Sequence, residues 1–234
     1  MNNQAFLTAI KRSFDDFIVS GTSRSTAKLK PLHGAIASDL LQRLGPGYSI
    51  KSQGIGDDTE GKIQGRYIDK RVDITIYHRG RAVAGIAVKF VMQNYSQNSN
   101  NYFENMLGET ANIRSNGIPY FQVFIILDKL PYYNKQKEIT KWESFTEHNV
   151  SKYVALSEDN IDDFRHTPNK TLIYVVHVPD CNSAEDNDDY LNFYRDGQFT
   201  LTVSRNHYHN FGPAVILNDY ETFMEKVYHT ILAL

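Results

Sequence analysis

A chain of 234 residues, 41% hydrophobic and 12% aromatic, is long enough to bury a sizeable core without disulfide or metal staples. Its one cysteine, Cys181, excludes an internal disulfide and a cysteine-rich zinc site, and it fits a reducing, cytoplasmic setting. No apolar run is long enough to span a bilayer, so no membrane role is expected, and the net charge of −2 conceals strong blocks. Residues 1–56 carry seven Lys/Arg against three acids, 62–92 carry seven against two, and 157–196 carry ten acids against three Lys/Arg. A basic first half allows one face to follow a polyanion while the acidic segment stays solvated, although ordinary solvated surface gives similar blocks.

In chain order, 3–19 place Phe6, Ile10, Phe14 and Phe17/Ile18 at helical spacing, with Gly21 as the stop. Asp15 and Asp16 among these residues make the start an amphipathic helix and not a signal peptide. A second helix is predicted over 25–44, with Leu29, Leu32, Ile36, Leu40 and Leu44 on one stripe and Ser25 as N-cap. Pro31 and Gly34 weaken its first turns, and Gly45-Pro46-Gly47 ends it. Strands follow over 48–53 (a short edge), 62–67, 70–78 and 81–92, the last two joined by a hairpin in which Gly80 can take a positive φ. A polar loop over 93–99 and a helix over 100–115 come next, then a strand over 120–127 whose unbroken apolar run implies burial on both faces. The stretch 150–165 is ambiguous between helix and strand. A buried strand over 171–178, an acidic loop over 180–189 that is the least ordered candidate, a strand over 198–204 and a closing helix over 219–233 complete the chain. This order of elements predicts one α/β domain over 1–234, with a mixed β-sheet flanked by helices and a catalytic core at about 48–128.

On RVDITIY, alternation sends Val72, Ile74 and Ile76 one way and Asp73, Thr75 and Tyr77 the other. On GIAVKF it puts Ala87 and Lys89 on one face, and a lysine in so apolar a strand requires a partner or a function. A hairpin turning at 78–81 brings Asp73 and Lys89 near each other. Phosphodiester hydrolysis needs such a set: carboxylates to hold Mg²⁺ and an ammonium to orient water or meet developing charge. A structural Asp–Lys pair is the competing account.

Asp73, the hairpin and Lys89, within residues 60–128, resemble the PD-(D/E)XK nuclease superfamily, and the stretch 61–114 looks like type II restriction endonucleases as a broader class. The resemblance implies a restriction endonuclease-like fold, Mg²⁺ dependence, a short site in double-stranded DNA and a homodimer that cuts both strands. Two departures stand out: Arg71-Val72 replaces the usual proline ahead of Asp73, and Ala87 occupies the place where the family has Asp or Glu. Three explanations compete for Ala87: a carboxylate that has migrated to the following helix, an inactivating substitution, or a nuclease fold without activity.

The favoured migrant is Glu104, fifteen positions after Lys89, with Glu109 second. Five positions on a helix span roughly 140°, so the two acids do not both face one point closely. Glu60 matches the extra acid that many family members carry upstream. The amide-rich run after the lysine strand makes Gln93, Asn94 and Gln97 candidates for DNA contact, with a polar turn as the alternative. A repair or junction nuclease and a non-cutting DNA-binding protein are the rival functions. His207-Tyr208-His209 lacks a nearby third ligand, and Gly54-Ile55-Gly56 is only a fragment of a phosphate-binding glycine motif.

Overall fold

A computed structural model describes residues 1–21, 27–208 and 210–234. Helix α1 (Asn3–Ser20) is capped by the Asn2 side chain, which accepts from the Ala5 N–H, and is closed by Gly21 at φ 63°. Its buried stripe is the expected one. The second helix starts late: a 3-10 turn, Ala27–Leu29, leads into α2 (Lys30–Leu44). Pro31 therefore lies in the first turn, where its missing N–H costs nothing. Ser25, the expected cap, lies outside the described residues. Gly34 also has a physical reason. A Cβ there would fall 2.4 Å from the Gly54 carbonyl oxygen, so the glycine lets α2 lie directly against the loop that follows β1 (Tyr48–Ser52).

Next come β2 (Gly61–Gln64), β3 (Asp69–Val72), β4 (Ile74–His78) and β5 (Arg81–Val91). The single strand expected over 70–78 is thus broken at Asp73. Its first part pairs with β2 in a separate two-stranded ladder, while its second part pairs with both β1 and β5. Thr75, on the face of Asp73 and Tyr77, is fully buried because Gly61 of β2 packs onto its side chain.

Helix α3 spans Tyr95–Arg114 and overturns most of the polar loop expected over 93–99: only Gln93 and the N-cap Asn94 precede it, and Gln97 and Asn98 lie in its first turn. Strand β6 (Tyr120–Leu127) is buried throughout, because parallel β5 and β9 (Lys170–His177) flank it and helices cover the sheet. Between β6 and β9 lie the hairpin β7 (Lys129–Tyr133) and β8 (Ile139–Ser144), which the apolar pattern did not announce, and α4 (Glu147–Ser157). The Arg114 guanidinium donates to the carbonyls of Ile161 (2.6 Å), Phe164 (2.9 Å) and Thr167 (2.6 Å), which fixes the irregular segment after α4.

The acidic segment 180–189 enters α5 (Asn187–Asp196), with Asp186 as N-cap and Asp188 and Asp189 in the first turn, where the helix dipole favours them. The strand expected over 198–204 shrinks to β10 (Thr202–Val203), because Phe199 packs against the rings of Phe14 and Tyr194 instead of entering a ladder. Strand β11 (Val215–Leu217) and helix α6 (Tyr220–Leu232) close the chain. The main sheet runs β1-β4-β5-β6-β9-β10, with β11 also paired to β9; β1 is the predicted edge. This is an α/β fold with a mixed central sheet flanked by helices. Among the described residues no helix is long and apolar enough to cross a membrane.

Candidate active site

Asp73 occupies the joint between β3 and β4. Ile74 is paired with Ile86, so Val88 lies beyond the last β4 pair, and its N–H goes instead to Asp73 Oδ2 at 2.7 Å. Burial pushes the Asp73 carboxyl up to about 6, the Val88 bond opposes this, the Glu109 charge raises it further and Lys89 lowers it. Lys89 is half-buried on β5. Burial makes its ammonium more acidic, against the pull of Asp73, and its Nζ lies 4.3 Å from the centroid of the Tyr102 ring.

The two predicted residues line one cavity of about 240 Å³, together with Arg71, Ala87, Asn105, Glu109 and Gln122. Helix α3 contributes Tyr102, Asn105, Met106 and Glu109, which are spaced i, i+3, i+4 and i+7 and so form one face. That face carries Glu109 and leaves out Glu104, which is exposed and lines a neighbouring cavity with Lys70 and Glu109, away from Asp73 and Lys89. The preference for Glu104 over Glu109 therefore finds no geometric support. Glu109 is held at both ends: Oε1 accepts the hydroxyl of the fully buried Tyr120, and Oε2 is 3.1 Å from Lys70 Nζ.

Glu60 does not reach the cavity; its Oε1 accepts from Gln53 Nε2 at 3.0 Å on the loop before β2. Gln93, Asn94 and Gln97 line an adjoining cavity that shares Lys89 and Tyr102 with the first. Asn94 is committed to structure there: its Oδ1 accepts the Tyr133 N–H at 2.8 Å and its Nδ2 donates to the Tyr133 carbonyl at 3.3 Å.

Gln122 is the residue that sequence reasoning missed. It pairs with Ala87 across the parallel β5–β6 ladder, is 7% exposed and shares the cavity with Asp73 and Glu109. As the one amide in YFQVFIIL it was visible as a polar residue placed in a buried strand.

Two carboxylates and an amide are hard oxygen donors, the kind that Mg²⁺ takes when it keeps several waters. The mutual repulsion of Asp73 and Glu109 is a cost that a cation between them would relieve. Among the described residues no group of three or more His, Cys, Asp or Glu is placed to hold a metal, so such an ion would rest on Asp73 and Glu109 with neutral partners.

Elsewhere, Asp128 accepts from Ser204 Oγ (2.9 Å) and pairs with His177 Nδ1 (3.1 Å) beside a cavity of about 560 Å³. Cys181 is buried and its thiol is pushed up by that burial, which keeps it in the unreactive form. His207 is exposed and His209 lies outside the described residues. Fold and site together define an α/β protein with a mixed sheet carrying an acid–amine cavity. Compared with family models, curated proteins and solved structures, the chain has no match in any of the three.

Proposed function

We propose that this protein is a Mg²⁺-dependent endonuclease of the restriction endonuclease-like type, hydrolysing phosphodiester bonds in double-stranded DNA at a short site. The observation that carries the reading is the convergence of Asp73, Lys89 and Glu109 on one cavity. Asp73 and Glu109 would hold the ion, and Gln122 supplies a neutral oxygen beside Ala87, where the related motif carries an acid. The chemistry that a divalent ion supplies when bound there is polarisation of a phosphate oxygen and a lower pKa for a coordinated water. Lys89 orients the attacking water, or meets the charge that grows on the phosphate, and the nearby Asp73 limits how far burial depresses its basicity. Arg71 adds a second cation to the cavity lining, while the acidic segment 157–196 contributes no lining residue to this cavity or to the adjoining one. Cutting both strands of a duplex calls for two such sites, which a homodimer would supply.

Supercoiled plasmid incubated with Mg²⁺ tests the reading. Wild type should linearise it, Glu109→Gln should lower the rate about 100-fold, and Glu104→Gln should change it by no more than about twofold. Equal losses in the two variants would refute the assignment of Glu109. Ala87 favours a second reading, a non-cutting DNA-binding protein, and a wild type that binds duplex but never cuts it would establish that reading instead.

A further inference from the structure

The adjoining cavity, about 350 Å³, lies where β5 ends and α3 begins, and it is lined by Lys28 and Lys89 with Gln93, Asn94, Gln97 and Asn98. Among the described residues its lining holds two ammonium groups and four amides, and no carboxylate. Lys28 is 6% exposed and packs near the Phe17 ring, its Nζ 5.8 Å from the centroid. Burial, and then the charge of Lys89, lower the Lys28 ammonium to about 8. Two cations brought together in a half-closed space repel each other at a cost that water only partly screens. An anion between them would convert that repulsion into two charge-assisted hydrogen bonds.

The start of α3 adds to this field. The 20-residue helix has no acid in its first turn, and its N-cap, Asn94, makes no side-chain cap because its amide is tied to Tyr133. The start of the helix therefore lies beside the lysines, where its dipole adds to their field. Glu143 of β8 accepts the Ser96 N–H at 3.2 Å, so a carboxylate already meets one N–H of the first turn, and the lysines and amides of the lining carry the site.

We infer that this cavity is a phosphate-binding subsite in which Lys28 and Lys89 grip one oxyanion and the amides of Gln97 and Asn98 complete its hydrogen bonds. The source we assign is a phosphate of the nucleic-acid backbone next to the one being cut, which rests on the proposed nuclease function; the oxyanion chemistry does not. Lys89 would then serve both cavities and set the spacing between neighbouring phosphates.

Two probes separate the sources: inorganic phosphate, followed by thermal unfolding in chloride of matched ionic strength, and a short duplex titrated with Ca²⁺ in place of Mg²⁺ at several salt concentrations. Lys28→Met keeps the buried stem and removes the charge. Gln97→Glu places a negative charge at a helix N-terminus, which tolerates it, and so reports on the anion without risk to the fold. Phosphate should stabilise wild type, with its affinity at least fivefold weaker in both variants. Lys28→Met should lower the salt slope of duplex binding by about one. Phosphate binding that is equal in wild type and both variants would overturn the subsite. A wild type that cuts DNA, with duplex affinity and salt slope untouched by Lys28→Met, would overturn the subsite and leave the nuclease reading standing. A wild type that binds phosphate through Lys28 but neither binds nor cuts duplex would keep the oxyanion site and remove its nucleic-acid source.

Discussion

Replacing Lys89 by alanine should reduce Mg²⁺-dependent cleavage by about 10²- to 10⁴-fold in single-turnover assays, the range spanned by loss of a positioned proton-transfer or charge-stabilising group. The fold should survive. Lys89 is half-buried and its charged form is penalised by that burial, so its removal relieves a desolvation cost while giving up contact with the Tyr102 ring. Lys89→Met, which keeps the stem packed in β5, should be equally inactive and at least as stable as the alanine variant. Activity that persists in both variants, with their folding verified by circular dichroism, would refute the role given to the ammonium.

The second large effect concerns stability in the absence of metal. Asp73 titrates near 6 in the folded protein against an ordinary value of 3.8. Between these values the folded state binds the extra proton, so the contribution of Asp73 to stability falls as pH rises from about 4 to about 6 and stays low above that. At roughly 1.4 kcal/mol per unit of pKa, the penalty at neutral pH reaches up to about 3 kcal/mol. Asp73→Asn preserves an oxygen for the Val88 N–H and removes the charge. In chelator it should therefore unfold at higher denaturant than wild type at pH 8, by up to that amount, and should match wild type near pH 4. The same variant should be inactive with Mg²⁺. A variant less stable than wild type by the same margin at both pH values would show that the carboxylate is structural and not penalised by its burial and by the nearby Glu109 charge.

Much of this architecture was legible because period and composition agreed. The stripe of α1, the edge position of β1, the hairpin at Gly80 and the doubly buried β6 all follow from residues whose local preference and tertiary surroundings coincide. The misreadings came where tertiary contacts override local signals. Polar composition concealed the first turn of α3, yet its amides are solvated or tied to β7, and the helix is held by Tyr95, Met106 and Ile113. Tyr95, the helix's first residue, lies on the stripe of Tyr102, Met106 and Glu109, whereas Glu104 does not. The break at Asp73 was hidden because β3 and β4 share one alternation while belonging to different sheets. Glu60 was assigned by likeness to a motif alone, and no periodicity linked it to the cavity. Asp73 and Lys89 were legible for a firmer reason: each is a charged residue flanked by apolar ones, and the turn at 78–81 fixes which residues can meet.

The central claim, that Asp73 and Glu109 share a divalent ion beside Lys89, is tested most directly by diffraction from crystals grown with Mn²⁺ and a short duplex. The account predicts an anomalous peak bonded to carboxylate oxygens of both residues, with a backbone phosphate within reach of the Lys89 ammonium. A peak held at Asp128 and His177 instead, or a duplex bound with both carboxylates turned away from it, would contradict it.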